Sequence, residues 1–237
     1  MGALIARLFW LAVLSGSAWC VHEQRRLGEW PWSHSGPTGD FELLSRSEWG
    51  ALKPETPPAK MAQPTRITIH HSGGKEAPDV EREAVERTIK AIQTDHTRKR
   101  GWNDIGYHFV IDRSGRIWEG RPISQIGAHA GSQAANDRNA GVLLLGNFDL
   151  QTPAAAQISS LERLVDSLRA RYKLGRAQVF SHKEVRGDCG LGPTNCPGKH
   201  LDAWLDGYRK GRAQASVRVG NAEDPRNAPI ASRSRPR

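Results

Sequence analysis

Two histidines and a cysteine stand where an α/β chain tends to gather its chemistry. His70 lies near the end of "RITIHHS" (66–72), His182 ends "AQVFSH" (177–182), and Cys196 follows in "PTNCPG". The first two stretches read as β-strands, and strand ends are where an open α/β sheet places functional groups. Two imidazoles and a thiolate suit Zn2+. Three protein donors leave a fourth position for water, which is the catalytic rather than the structural arrangement. Spacing alone is a weak pointer, because the chain holds nine histidines. A second chemical feature is Tyr107, beside His108 at the entrance of the apolar stretch "IGYHFVIDRSGRIWEGR" (105–121).

The elements that must carry these groups follow from periodicity. In residues 66–72, strand alternation puts Ile67 and Ile69 on one face and Thr68 and His70 on the other, with His71 on the isoleucine side. Residues 80–98 predict a helix, with Val80, Ala84, Val85, Thr88, Ile89 and Ile92 as its buried stripe. A hairpin is expected over 106–119, turning at Ser114-Gly115. The run "GVLLLGNF" (141–148) predicts a strand buried on both faces. A second helix should start with Thr152 as cap and Pro153 in the first turn. Ile158, Leu161, Leu164, Val165 and Leu168 form its inner stripe, and Gly175 is its stop signal. Residues 200–211 predict a final helix. Strands alternating with helices imply an α/β fold, a central mixed β-sheet flanked by helices.

The chain has 237 residues, 38% of them hydrophobic, and a net charge of +9. That suits one sizeable globular domain with extensions at both ends. Residues 1–20 read as an export signal or N-terminal anchor: Arg7 precedes the apolar run Leu8–Leu14, and small residues follow. The run is short for a membrane span. Cys20 raises a lipid anchor, to which Trp19 is a poor fit. The expected location is periplasmic or extracellular, free or anchored through the N-terminus. Residues 21–44 read as a linker, 45–211 as the domain, and 212–237 as a disordered basic tail carrying six arginines. The basic excess favours anionic partners in general. It comes with no lysine-rich helix, zinc-finger spacing or aromatic-and-basic cluster, so nucleic acid is not an expected partner. Three cysteines, Cys20, Cys189 and Cys196, are too few for a disulfide scaffold. A Cys189–Cys196 or Cys20–Cys189 bond stays open for an exported protein.

Four blocks, "ITIHHSGG", "GWNDIGYHFVIDRSGRIWEGR", "GAHAGS" with "NAGVLLLGNF", and "SHKEV…PTNCPGKHL", occur in an order that resembles one family. It is the N-acetylmuramoyl-L-alanine amidases of the type shared by phage lysozyme-like amidases and peptidoglycan recognition proteins. The resemblance covers roughly residues 45–210. It implies the zinc amidase fold, with zinc held by His70, His182 and Cys196 and with Tyr107 as catalytic residue. Thr194 matches a position that helps hold the scissile carbonyl, and His129 matches a histidine lining the substrate groove. Trp118, Glu119 and Arg121 match positions expected to be structural; Trp102 and Asp104 are expected to fix the loop before Tyr107. His108 is expected to hydrogen-bond within the hairpin. The implied activity is hydrolysis of the bond between N-acetylmuramic acid and L-alanine in peptidoglycan, by a monomer with no obligate protein partner. Some members of the family only bind peptidoglycan and typically lack the cysteine ligand, which is present here. The loop "KEVRGDCGLGPTN" is longer than the family pattern and holds Cys189, a second cysteine near the site.

Overall fold

The computed structural model describes residues 41–74 and 80–211. The expected leader and basic tail, and the expected linker up to residue 40, lie outside the described residues. The strands are β1 (Leu43–Leu44), β2 (Arg66–His71), β3 (Phe109–Ile111), β4 (Ile117–Glu119), β5 (Asn139–Leu144) and β6 (Val179–Ser181). They form one sheet in the order β1-β4-β3-β5-β2-β6. The β3–β4 hairpin is antiparallel and the other pairs are parallel. This is the mixed sheet that the alternating pattern predicts. β1 lies within the stretch read as linker, so ordered structure begins before the expected boundary at Ser45.

Helices cover both faces of the sheet. On one face Ile67, Ile69, Phe109, Ile111, Val142 and Leu144 pack against α3 (Ala155–Tyr172) and α5 (Lys199–Arg209). The inner side of α3 is Leu161, Leu164, Val165 and Leu168, as its spacing predicts. On the other face Val110, Trp118 and Leu143 meet Val85 and Ile89 of α1 (Arg82–Thr94). Every residue of β5 is buried, which accounts for its unbroken apolar run. Its six residues pair with all of β2, from Arg66 opposite Asn139 to His71 opposite Leu144.

Several boundaries differ from the sequence reading. Helix α1 starts after Val80, which is half exposed, and a π-helical turn over Asp95–Lys99 extends it. Tyr107 and His108 precede β3 rather than opening it. Helix α3 starts at Ala155, not at a Thr152 cap; the Gln157 side chain instead accepts the Ala154 N–H at 3.1 Å. The left-handed residue at its end is Lys173, φ 55°, so Gly175 is not the stop. A short helix α2 (Gln133–Asn136), capped by the Ser132 hydroxyl, had no periodic signal because it is only four residues long.

The largest difference concerns His182. It does not end a strand; it is the first residue of α4 (His182–Asp188). Ser181 caps this helix by accepting from the Glu184 N–H, and the Glu184 carboxylate accepts the Ser181 N–H at 2.7 Å. This reciprocal box is legible as S-x-x-E in "SHKE". Arg209 of α5 clamps the same carboxylate with two N–H donors, each at 2.8 Å. The Arg209 bonds, with the Ser181 bonds, hold the Glu184 carboxyl down to about 2 against a burial effect in the other direction. A depressed carboxyl adds stability above its unfolded pKa and loses it as pH falls towards the folded value. Glu184→Ala should therefore cost about 1 kcal/mol at pH 7. The gap to wild type should shrink between about pH 4 and pH 2, as read by urea melts across that range.

Candidate metal centre and active site

β2 delivers His70. The pleat turns Ile67 and Ile69 into the α3/α5 core and sends Thr68 and His70 to the opposite face, where His70 is fully buried. His71 projects to the isoleucine side, and its Nδ1 accepts the Phe148 N–H at 3.2 Å. β6 and the Ser181–Glu184 box deliver His182 alongside. The His70 and His182 rings lie 4.5 Å apart, centroid to centroid. A third segment brings Cys196. Its N–H donates to the Thr194 hydroxyl at 3.2 Å, and its carbonyl accepts the Lys183 N–H of α4 at 3.0 Å. Gly198, φ 91°, then passes so close to Phe148 that a Cβ would lie 2.6 Å from the Phe148 carbonyl carbon. Only glycine fits that crossing.

His70, His182 and Cys196 are thus positioned to hold a metal ion: their donor atoms all lie within 4.8 Å of one another. Cys196 Sγ stands 3.7 Å from His70 Nδ1. Donors around a tetrahedral zinc are roughly 3.5 Å apart, given bonds of about 2.0–2.3 Å, so this pair already has the spacing. His182 Nε2 is buried without a hydrogen-bond partner among the described residues, a costly state for a polar atom unless it has a ligand to meet. Burial first, then the neighbouring His129 and His182, keeps His70 well below the usual imidazole range. Burial and then Arg186 bring His182 down to about 4. Both imidazoles are therefore neutral donors at pH 7. Burial pushes the Cys196 thiol up to about 12, opposed by the His71 N–H that donates to its sulfur at 3.4 Å. Cys189 caps the end of α4 as an exposed, free thiol. Cys196 is free as well, so the Cys189–Cys196 bond is not formed; Cys20 lies outside the described residues.

Tyr107 stands over this cluster. Its ring meets His70 edge-on at 5.2 Å and lies 5.6 Å from His96. Burial, and then the nearby Cys196, raise its hydroxyl above the ordinary phenol value, so it remains a proton donor throughout the neutral range. His96 comes from the π-helical turn and accepts the Gly106 N–H on Nδ1 at 3.0 Å, which pins the residue before Tyr107. Its ring packs against Trp102 at 4.6 Å. Asp104 also fixes this loop, accepting from Ile105 N–H at 2.7 Å and from the Gln93 amide at 2.6 Å. These supports agree with the expected loop-holding roles of Trp102 and Asp104. Arg121 likewise serves structure, donating to the carbonyls of Asp104 and Ile105. Trp118 is fully buried and donates to Asp112 at 3.0 Å; the Glu119 carbonyl accepts from Trp49 at 2.8 Å.

Two expectations need correction. His129 does not line a groove. It is 4% exposed, and both ring nitrogens are engaged inside the protein, one by His70 at 3.0 Å and one by the Asn139 carbonyl at 3.1 Å. His108 does not bond its ring within the hairpin. Its Nδ1 accepts the Gly141 N–H of β5 at 2.9 Å and its Nε2 donates to the Gln125 carbonyl at 2.9 Å. The concavity beside the site is instead a pocket of about 430 Å³ lined by Trp102, Asn103, Arg121, Ala128, Ser132 and Gln133 among others. None of the three donors lines it; Trp102 and His96 connect it to Tyr107.

The chain is similar to several known proteins. A family model described as N-acetylmuramoyl-L-alanine amidase matches residues 60–199. Peptidoglycan-recognition protein SC2 of Drosophila simulans is 31% identical over 159 residues, covering 67% of this chain and 82% of that protein. A Drosophila PGRP-LB variant solved in complex with tracheal cytotoxin superposes with a TM-score of 0.61 at 31% identity, over 70% of this chain and 94% of that one. The amidase LysC from Clostridium intestinale gives 0.57 at 26% identity, over 73% and 99%. With His70, His182 and Cys196 gathered at one end of a mixed sheet, the chain belongs to the N-acetylmuramoyl-L-alanine amidase family, which groups it with peptidoglycan-recognition proteins and amidases.

Proposed function

We propose that the chain is a zinc-dependent N-acetylmuramoyl-L-alanine amidase, hydrolysing the amide that joins the lactyl group of N-acetylmuramic acid to L-alanine in peptidoglycan. The observation that carries this reading is the convergence of two neutral imidazoles and a thiol beneath a protonated tyrosine. Zinc held there supplies Lewis acidity, activating water near neutral pH and polarising an amide carbonyl.

The chain's own residues supply the rest. Tyr107 is held in place by its packing against His70 and His96, and its O–H donates to the oxygen on which negative charge develops. The Thr194 oxygen accepts from the Cys196 N–H, which leaves its hydroxyl proton for the scissile carbonyl. The pocket around Trp102 and Arg121 adjoins this point and suits the peptide arm of the substrate. The tracheal cytotoxin bound by the Drosophila relative supports a peptidoglycan fragment as ligand. Export would place the enzyme at that polymer.

A binding-only role is the rival reading, because several relatives are named for recognition. Digestion of purified muropeptides followed by mass spectrometry separates the two. The amidase reading expects free stem peptide and intact glycan, with one zinc per chain; no cleavage by zinc-loaded protein would leave recognition as the function.

Tyr107→Phe removes one oxygen and should keep fold and zinc while lowering kcat by about 10²–10³. Unchanged turnover would remove Tyr107 from the mechanism. For the thiols, Cys196→Ser should lose zinc and hydrolysis while staying folded, and Cys189→Ser should retain both, as checked by zinc stoichiometry with and without reductant. Zinc lost in the Cys189 variant but kept in the Cys196 variant would reverse the ligand assignment.

A further inference from the structure

We propose that His129 is the positioning residue that decides which nitrogen of His70 faces the metal. The argument starts from an atom with no choice. The Asn139 main-chain carbonyl can only accept, and it lies 3.1 Å from His129 Nε2. His129 Nε2 therefore carries the proton. A neutral imidazole has one donor and one acceptor nitrogen, so His129 Nδ1 holds a lone pair. That lone pair lies 3.0 Å from His70 Nε2, which must be the donor in the pair. His70 is thereby fixed as the Nε2–H form, and its own lone pair sits on Nδ1. This is the nitrogen 3.7 Å from Cys196 Sγ. One carbonyl, through two imidazoles, aims one lone pair.

The seat of His129 is built for this. Asn136 Oδ1 accepts the N–H groups of both His129 and Ala130 at 2.8 Å, which fixes the backbone. The ring lies between two glycines. A Cβ on Gly127 would lie 2.5 Å from it and one on Gly141 2.6 Å. Asn139 is itself held, accepting from the Thr68 hydroxyl at 2.8 Å and donating to the Ala135 carbonyl at 2.8 Å. A residue so enclosed has no nitrogen left for substrate. Partners of this kind fix ring orientation, and their loss typically lowers metal affinity by about 10- to 100-fold. The consequence for the metal rests on the zinc reading; the tautomer is a property of the chain alone.

The test uses the full chain without metal, labelled with ¹⁵N in histidine. Long-range ¹H–¹⁵N spectra should show His70 and His129 both protonated on Nε2. In His129→Leu the acceptor is gone, and His70 should become a mixture of tautomers, with zinc affinity down about 10- to 100-fold in a chelator competition. His129→Asn places an oxygen close to the lost Nδ1 and should restore the Nε2–H form of His70 and most of the affinity. A purely structural role would show as equal losses in both variants with His70 unchanged, and would overturn the proposal. So would wild-type His70 protonated on Nδ1, a result that needs no variant to fold. Wild type with His70 on Nε2–H but no zinc uptake would overturn the zinc reading and leave the tautomer assignment standing.

Discussion

The pleat of β2 governs the rest of the site. Because successive side chains alternate faces, one strand can anchor the α3/α5 core through Ile67 and Ile69 and still deliver His70 to the opposite side. The strand lies between β5 and β6, with all six of its residues paired to β5, so the alternation has no slack. A slip of one residue would turn Ile67 and Ile69 out of the α3/α5 core and carry His70 away from the face it shares with Thr68. The long β2–β5 ladder is thus what keeps His70 beside His182 and Cys196.

Bringing several imidazoles together inside a protein is costly unless each nitrogen is satisfied. The chain meets that cost locally. His108 spans a β5 amide and the Gln125 carbonyl, His96 takes the Gly106 amide, and His129 connects Asn139 to His70. His182 Nε2 is the exception among these rings. The rings of His96, His108 and His129 are thus held by main-chain groups and by a neighbouring imidazole.

Much of this was legible beforehand, for identifiable reasons. The face of His70 followed from strand alternation, and the doubly buried β5 from its unbroken apolar run. The helical placement of His182 was written in Ser181 and Glu184, a capping signal overshadowed by the short apolar stretch before it. The role of His129 was not legible. It depends on a carbonyl ten residues away in sequence and on glycines at 127 and 141 that leave room for its ring, and neither has a periodic signature. The π-helical turn that carries His96 was hidden for a similar reason: its register differs from the helix it continues.

The two-residue strand β1 has a mechanical consequence. It closes the sheet at the edge opposite β6, four strand spacings from β2, a separation of about 19 Å. The described chain therefore enters the domain at the sheet edge away from His70. A pull on the chain ahead of residue 41 would load the Leu43–Leu44 pairing with β4 first, at the sheet edge remote from His70.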